Sequence, residues 1–157
     1  MLSSGITPAD RSSLEKILTS SGYFYDYEVD LALSLADETL EKGEEKSGYY
    51  WICLIEDEKV IGFTCFGPNP SSVHSWDLYW IAVHEECRKK HYGSVLLKES
   101  EDRIRTLGGT IVWIETSGRP LYEPTRHFYL KNGYELEATL HEFYGPGDHK
   151  LVYRKEL

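Results

Sequence analysis

The chain has 157 residues, of which 41% are hydrophobic, 13% aromatic and 27% charged, a composition that fits one folded domain with a real core and excludes a disordered segment. A formal net charge of -9 at pH 7 sets most of the surface against DNA or RNA, so no nucleic-acid partner is expected. Three cysteines, Cys53, Cys65 and Cys87, cannot all pair within one chain and show no C-x-x-C spacing, which fits a reduced cytoplasmic setting without a thiolate metal site.

The elements follow in chain order. "ITPADRSSLEKILTSSG" opens with Thr7 as N-cap, Pro8 at the first helical position and Asp10 three residues after the cap, and Leu14, Ile17 and Leu18 share one face of a short helix ending near Gly22. "YEVDLALSLADETLEKGEEKSG" predicts a second helix, stopped at Gly43. "YYWICLIE" and "KVIGFTCFG" are β-rich runs joined by Asp57 and Glu58, which predicts an antiparallel hairpin. Gly67, Pro68, Asn69 and Pro70 break that strand, and "SWDLYWIAV" begins the next.

"YGSVLLKESEDRIRTLGG" predicts a helix with Val95, Leu96, Leu97, Ile104 and Leu107 inward, closed by Gly108 and Gly109. "TIVWIET" follows it as a strand, so strand, helix and strand form a βαβ unit with two parallel neighbours. "EPTRHFYLKNGY" makes another helix capped by Asn132 and Gly133, and "ELEATLHEFY" and "HKLVYRKEL" are two last strands around Gly145, Pro146 and Gly147. The opening residues lack the basic and apolar regions of a secretory signal, and no apolar run approaches about 18 residues, so a soluble protein with no membrane partner is expected.

Within that order the turn "RKKHYGS" stands at the carboxyl end of one strand and the amino end of its helix. A helix amino terminus presents unpaired N–H groups and partial positive charge, and so can hold an anion. Arg88, Lys89, Lys90 and His91 add basic charge, Gly93 permits close backbone approach, and Ser94 can donate a hydroxyl. Read alone, a basic loop before a helix is also a solvated turn. The chain contains neither G-x-x-x-x-G-K-S/T nor G-x-G-x-x-G, the two better-known phosphate loops.

Over residues of about 7 to 155 the chain resembles the GNAT superfamily of acyl-CoA-dependent N-acyltransferases. The family's Q/R-x-x-G-x-G/A motif falls on Arg88, Lys89, Lys90, His91, Tyr92 and Gly93; Arg88 and Gly93 match, and His91 stands where the family has its first glycine. The late-helix pattern A-x-x-x-Y-x-x-x-G-F/Y falls on Thr125, Tyr129, Gly133 and Tyr134, with only the alanine replaced. Tyr122 stands seven residues before that tyrosine, where relatives often carry asparagine.

The resemblance implies a single acetyltransferase domain over residues 1–157 with an α/β (α+β) fold: a mixed, mostly antiparallel central sheet of six to seven strands with a splayed parallel pair, and about four helices. It implies acetyl-CoA as co-substrate, with pantetheine on the backbone of Ile81, Ala82 and Val83, pyrophosphate on the amides of Arg88, Lys89, Lys90, His91, Tyr92, Gly93 and Ser94, and Thr125 and Tyr129 near the donor. Amine acylation needs an unprotonated nucleophile, a polarised thioester carbonyl and a proton for the leaving thiolate. The resemblance gives that proton to Tyr129 and the polarising N–H to Val83, and Asp77 lies where some relatives carry a glutamate base; Glu115 on the next strand is the competing acid.

Cys87 next to the basic run suggests a covalent acyl-enzyme, but a thioester is already activated, so direct transfer to a primary amine is expected. His74, His84, His127, His141 and His149 show no metal spacing, and no metal is expected. The acceptor is a small amine or a peptide amine, with a protein lysine or N-terminal acetyltransferase and a catalytically silent acyl-CoA-binding module as alternatives. The last two strands can also pair across a homodimer.

Overall fold

The computed structural model describes residues 1–88 and 90–157. Among them are seven strands, β1 (Leu2–Ser4), β2 (Tyr50–Glu56), β3 (Lys59–Pro68), β4 (Ser75–Val83), β5 (Ile111–Ser117), β6 (Glu135–Gly145) and β7 (Asp148–Glu156). Five α-helices accompany them: α1 (Arg11–Ser20), α2 (Asp26–Lys42), α3 (Glu44–Ser47), α4 (Tyr92–Thr106) and α5 (Glu123–Lys131). The strands hydrogen-bond in the order β1-β2-β3-β4-β5-β7-β6. The β1-β2, β2-β3, β5-β7 and β6-β7 pairs are antiparallel and β4-β5 is parallel, the mixed sheet that the resemblance implies.

The chain divides into two compact units, residues 1–67 with 79–103 and residues 68–78 with 104–157. In the first, α1 begins at Arg11, three residues later than the sequence reading, and the expected capping residues head a 3-10 turn instead. Both the amide and the hydroxyl of Thr7 donate to Oδ2 of Asp10, at 2.7 and 2.9 Å, and a 3-10 turn over Pro8–Asp10 leads into the helix. The helix α2 ends at Gly43, whose φ of 83° lies in the region that glycine adopts without a Cβ clash.

The β2-β3 hairpin turns on Asp57 and Glu58 with φ of 50° and 62°, the positive values that a two-residue turn between twisted strands requires. Leu14, Ile17, Leu18, Leu33, Trp51 and Phe63 are buried together in the core of this unit. Each such side chain contributes about 1.5–3 kcal/mol through burial. Arg103 of α4 fastens the core's edge: it is ion-paired with Glu44, its Nη1 donates to the carbonyl of Trp51 at 3.0 Å, and Glu44 Oε1 accepts from the Trp51 amide at 3.0 Å.

In the second unit, β4 and β5 pair from Ser75↔Ile111 to Leu78↔Ile114, and the other edge of β5 pairs with β7 from Ile111↔Glu156 to Ser117↔Lys150. The end of α5 is closed by the Tyr134 amide donating to the Tyr129 carbonyl at 3.0 Å across Gly133, whose φ is 89°. Trp76, Val112, Ile114, Tyr129, Tyr134 and Tyr153 are buried here.

Three details differ from the sequence reading. Leu96, Leu97 and Ile104 of α4 are buried, but Val95 and Leu107 are exposed: Val95 lies off the stripe that those three residues and Ser100 define, and Leu107 follows the helix's last residue, Thr106. The three-residue β1 has no alternation to announce it and exists through its register with Cys53 and its neighbours. The four-residue α3 follows Gly43 directly, where the sequence suggested only the end of a helix. Among the described residues no helix is long and apolar enough to cross a membrane.

Candidate functional site

In the first unit the strand β4 ends at Val83, and the His84 amide donates to the Ile61 carbonyl of β3 at 2.8 Å. Backbone groups of successive strand residues alternate in direction. His84 and Ala82 therefore turn their polar groups towards β3, and those of Ile81 and Val83 point to the opposite edge. These two residues are the ones expected to pair with pantetheine.

A 3-10 turn over Glu85–Cys87 follows, closed by the Cys87 amide on the His84 carbonyl at 2.8 Å and anchored by the Glu85 amide on Ser20 Oγ at 3.1 Å. Arg88 is engaged by the protein itself: its guanidinium lies 3.1 Å from Glu85 and 5.0 Å from the centre of the Tyr23 ring. Lys89 lies outside the described residues. Lys90 stands 5.8 Å from the Tyr92 ring, and the Tyr92 hydroxyl donates to Glu56 at 3.4 Å.

His91 has a φ of 59°, in the left-handed region, and it occupies the position where the family motif has glycine. The chain thus makes the turn that glycine would make, with a residue type that enters this region more readily than a branched one. The first bond of α4 outside its own residues runs from the Val95 amide to the His91 carbonyl at 3.2 Å. Ahead of it, the amides of Tyr92, Gly93 and Ser94 form the first turn of a 15-residue helix, where N–H groups have no acceptor one turn back. A phosphate would meet amide donors, a helix dipole and nearby lysine charge here.

The acids and the tyrosine lie in the second unit. Asp77 is half-buried, pairs with Trp113 in the β4-β5 register, and accepts from Asn69 Nδ2 at 2.9 Å. Burial pushes its carboxyl above the usual carboxylate range. The Asn69 bond opposes that shift by favouring the anion, and the charge of Glu115 adds to it.

Glu115 is two residues beyond Trp113 on the same face of β5, and its Oε2 lies 2.8 Å from the Lys150 ammonium. Sequence reasoning missed both Asn69 and Lys150, because their roles come from a loop and from cross-strand register, which leave no local pattern.

Tyr129 is 5% exposed, and burial raises its phenol well above the ordinary value, with Tyr153 adding to the rise. Its ring lies 6.0 Å from that of Tyr153 and 6.1 Å from that of Tyr134. Among the described residues no hydrogen bond uses its hydroxyl, and no fully enclosed side-chain polar atom lacks a partner, so the hydroxyl is not fully enclosed. Thr125 is half-buried one turn earlier on α5, near the turn where Arg126 donates to the carbonyls of Ser117 and Arg119 at 3.0 and 2.8 Å. Cys53 and Cys65 are buried; burial raises the Cys53 thiol to about 12 and carries Cys65 well above its ordinary value, so neither is a nucleophile. Among the described residues no group of three or more His, Cys, Asp or Glu is placed to hold a metal ion.

Comparison with known proteins gives a consistent result. Residues 13–134 match the model of the Acetyltransferase (GNAT) family. A GNAT-family protein from Desulfovibrio desulfuricans is 37% identical, with a TM-score of 0.96 over 99% of this chain and 98% of that one. The N-acetyltransferase YvbK of Bacillus subtilis, itself uncharacterized, is 25% identical over 115 residues, 73% of this chain and 68% of its own. An aminoglycoside 6'-N-acetyltransferase complexed with coenzyme A shares 17% identity and a TM-score of 0.77 over 99% of this chain and 96% of its own, a likeness of fold.

Proposed function

The chain belongs to the GNAT family of acetyltransferases, and from that premise we propose that it moves the acetyl group of acetyl-CoA directly to a primary amine, as one acetyltransferase domain spanning residues 1–157. The observation that carries the donor assignment is the turn after β4. Ile81 and Val83 present backbone groups to the edge away from β3, and His91 takes a left-handed conformation just ahead of the α4 amino terminus. That combination suits a long chain of amides ending in a pyrophosphate. A relative of the same fold was solved with coenzyme A.

Pantetheine pairs with Ile81 and Val83, with Ala82 between them. The pyrophosphate rests on the amides of residues 88–94, supported by Arg88, Lys89, Lys90 and Ser94, and Thr125 lines the donor's path. Asp77 takes the proton of the acceptor ammonium. Its raised proton affinity makes it a stronger base than an ordinary carboxylate.

The free amine attacks the thioester carbonyl, whose developing negative charge the Val83 N–H stabilises. As the carbon–sulfur bond breaks, Tyr129 donates its phenolic proton to the thiolate, a task for which a hydroxyl kept in its protonated form by burial is suited, and the proton that the acylated nitrogen loses restores the phenol. Glu115 is the weaker candidate for the base, because its charge is already committed to Lys150.

Calorimetric titration of coenzyme A, followed by a coenzyme A release assay with amine and peptide panels, tests the reading. Saturable binding and amine-dependent release are expected. Absence of coenzyme A binding overturns it, and binding without release for any amine or peptide favours a silent acyl-CoA-binding module.

A further inference from the structure

In the second unit the ammonium of Lys150 is set against a carboxylate and two aromatic rings. Lys150 Nζ lies 2.8 Å from Glu115 Oε2, 3.7 Å from the centre of the Phe143 ring and 5.9 Å from that of Tyr144. The lysine side chain is only 12% exposed, whereas that of Glu115 is 55% exposed. A carboxylate and two ring faces are the groups that recognise an organic cation.

The rings reach Lys150 through an irregularity in the β6-β7 ladder. Its rungs pass from Leu140↔Lys150 to Gly145↔Asp148, so residues 141–144 of β6 face the single residue His149 of β7. Bulges of this kind re-aim side chains. Internal bonds hold this one in shape. Glu142, at φ of 55°, donates its amide to His149 Nδ1 at 2.8 Å, Glu142 Oε1 accepts from the Gly147 amide at 3.2 Å, and the rings of His141 and His149 stand edge to face at 5.0 Å.

We propose that Lys150 is a specificity-determining residue, whose ammonium occupies the subsite formed by Glu115, Phe143 and Tyr144 and so restricts the acceptor to amines bearing one positive charge. The inference rests on the reading of Asp77 and Glu115 as the acceptor-side acids. By sequence alone, two acids on one face invite a dication. In the folded unit, Glu115 is neutralised by Lys150, and Arg154, 5.9 Å from the Trp113 ring on the same face, is itself paired with Glu156 at 2.8 Å. A second ammonium on the acceptor meets the like charge of Lys150 there and finds Glu115 already paired. Neutral or carboxylate-bearing acceptor bodies meet no such opposition, so monoamines are the substrate class and polyamines are excluded.

The test uses the whole protein saturated with coenzyme A and two probes of similar reach, propylamine and putrescine, measured by calorimetry. Lys150→Met keeps the aliphatic volume and removes the charge; Lys150→Arg keeps the charge; Lys150→Gln serves if the methionine variant does not fold. The methionine variant is expected to bind putrescine at least about tenfold more tightly than the unsubstituted protein while its affinity for propylamine changes by less than about twofold. The arginine variant is expected to behave like the unsubstituted protein, a rescue that a purely structural lysine would not predict. Equal putrescine affinity with and without Lys150, undetectable putrescine binding to the charge-removed variant, or an arginine variant that behaves like methionine overturns the inference. If coenzyme A itself fails to bind, the underlying reading falls; if it binds and the diamine preference does not move, only the role of Lys150 does.

Discussion

The side-chain amide of Asn69 donates to Oδ2 of Asp77 at 2.9 Å, and Asn69 is in turn held by the Ser71 amide on its Oδ1 at 2.9 Å and by its own amide on the Ser75 carbonyl. The loop thus steadies one carboxylate lone pair and leaves the other oxygen for chemistry. Asp77 titrates above the usual carboxylate range, with burial as the main cause. The acid limb of the rate profile should therefore lie above that range and disappear in Asp77→Asn, with a loss in kcat/KM of about 100-fold or more near neutral pH. Asn69→Ala removes a bond that favours the anion and should move the limb to higher pH. A normal profile in Asp77→Asn would dismiss Asp77 as base.

The same shift has a consequence for stability. A carboxyl whose proton affinity is higher folded than unfolded contributes stability at pH below its unfolded value and loses it as pH rises through the folded one. Asp77→Asn should therefore be more stable than the unsubstituted protein at pH 7, with the difference closing towards acid pH. Denaturant melts at several pH values give the sign directly. A variant that is less active and less stable at pH 7 would assign Asp77 a structural role.

Tyr129→Phe removes one oxygen from a ring held between Tyr134 and Tyr153. Among the described residues that oxygen has no partner to strand, so the fold should tolerate the change. Turnover is expected to fall by about 100-fold with coenzyme A affinity held within about twofold. Equal losses in turnover and in coenzyme A binding would make the hydroxyl a donor contact and not an acid.

Which parts could be read from sequence follows from the range of the forces involved. The run of Ser75–Val83, the Asp57-Glu58 turn and the Thr7-Asp10 cap are set by neighbours within a few residues, and each lies where the sequence puts it. The short β1, and the exposure of Val95 and Leu107, depend on what the remaining chain covers. At the site, residue types were legible but their partners were not. Glu115 reads as a free acid until the β5-β7 register brings β7 alongside and Lys150 neutralises it, and Arg88 reads as a free cation until the fold sets it against Tyr23 and Glu85.

Cys87 alone among the three cysteines is accessible. Burial holds the Cys53 and Cys65 thiols in the protonated, unreactive form. A chromogenic disulfide reagent should therefore label one thiol per native chain, and Cys87→Ser should abolish that phase. Since Cys87 immediately precedes the basic turn, saturating coenzyme A should slow its labelling. Unchanged rates with coenzyme A present would separate the donor from this turn.

His91 carries the last of these expectations. A non-glycine residue with a φ of 59° bears a steric cost of about 1–2 kcal/mol, partly offset in any glycine replacement by the greater freedom of the unfolded chain, worth about 0.4–1 kcal/mol. His91→Gly should thus raise stability by up to about 1.6 kcal/mol, or about 3–6 °C in melting temperature for a chain of this size. His91→Val, with a branched Cβ in the same conformation, should lower stability. Coenzyme A affinity should follow the same order, because a turn already at its bound geometry loses less freedom on binding. If glycine and valine both destabilise, the imidazole is held by contacts and not merely tolerated, and the equivalence of His91 to the family's glycine fails.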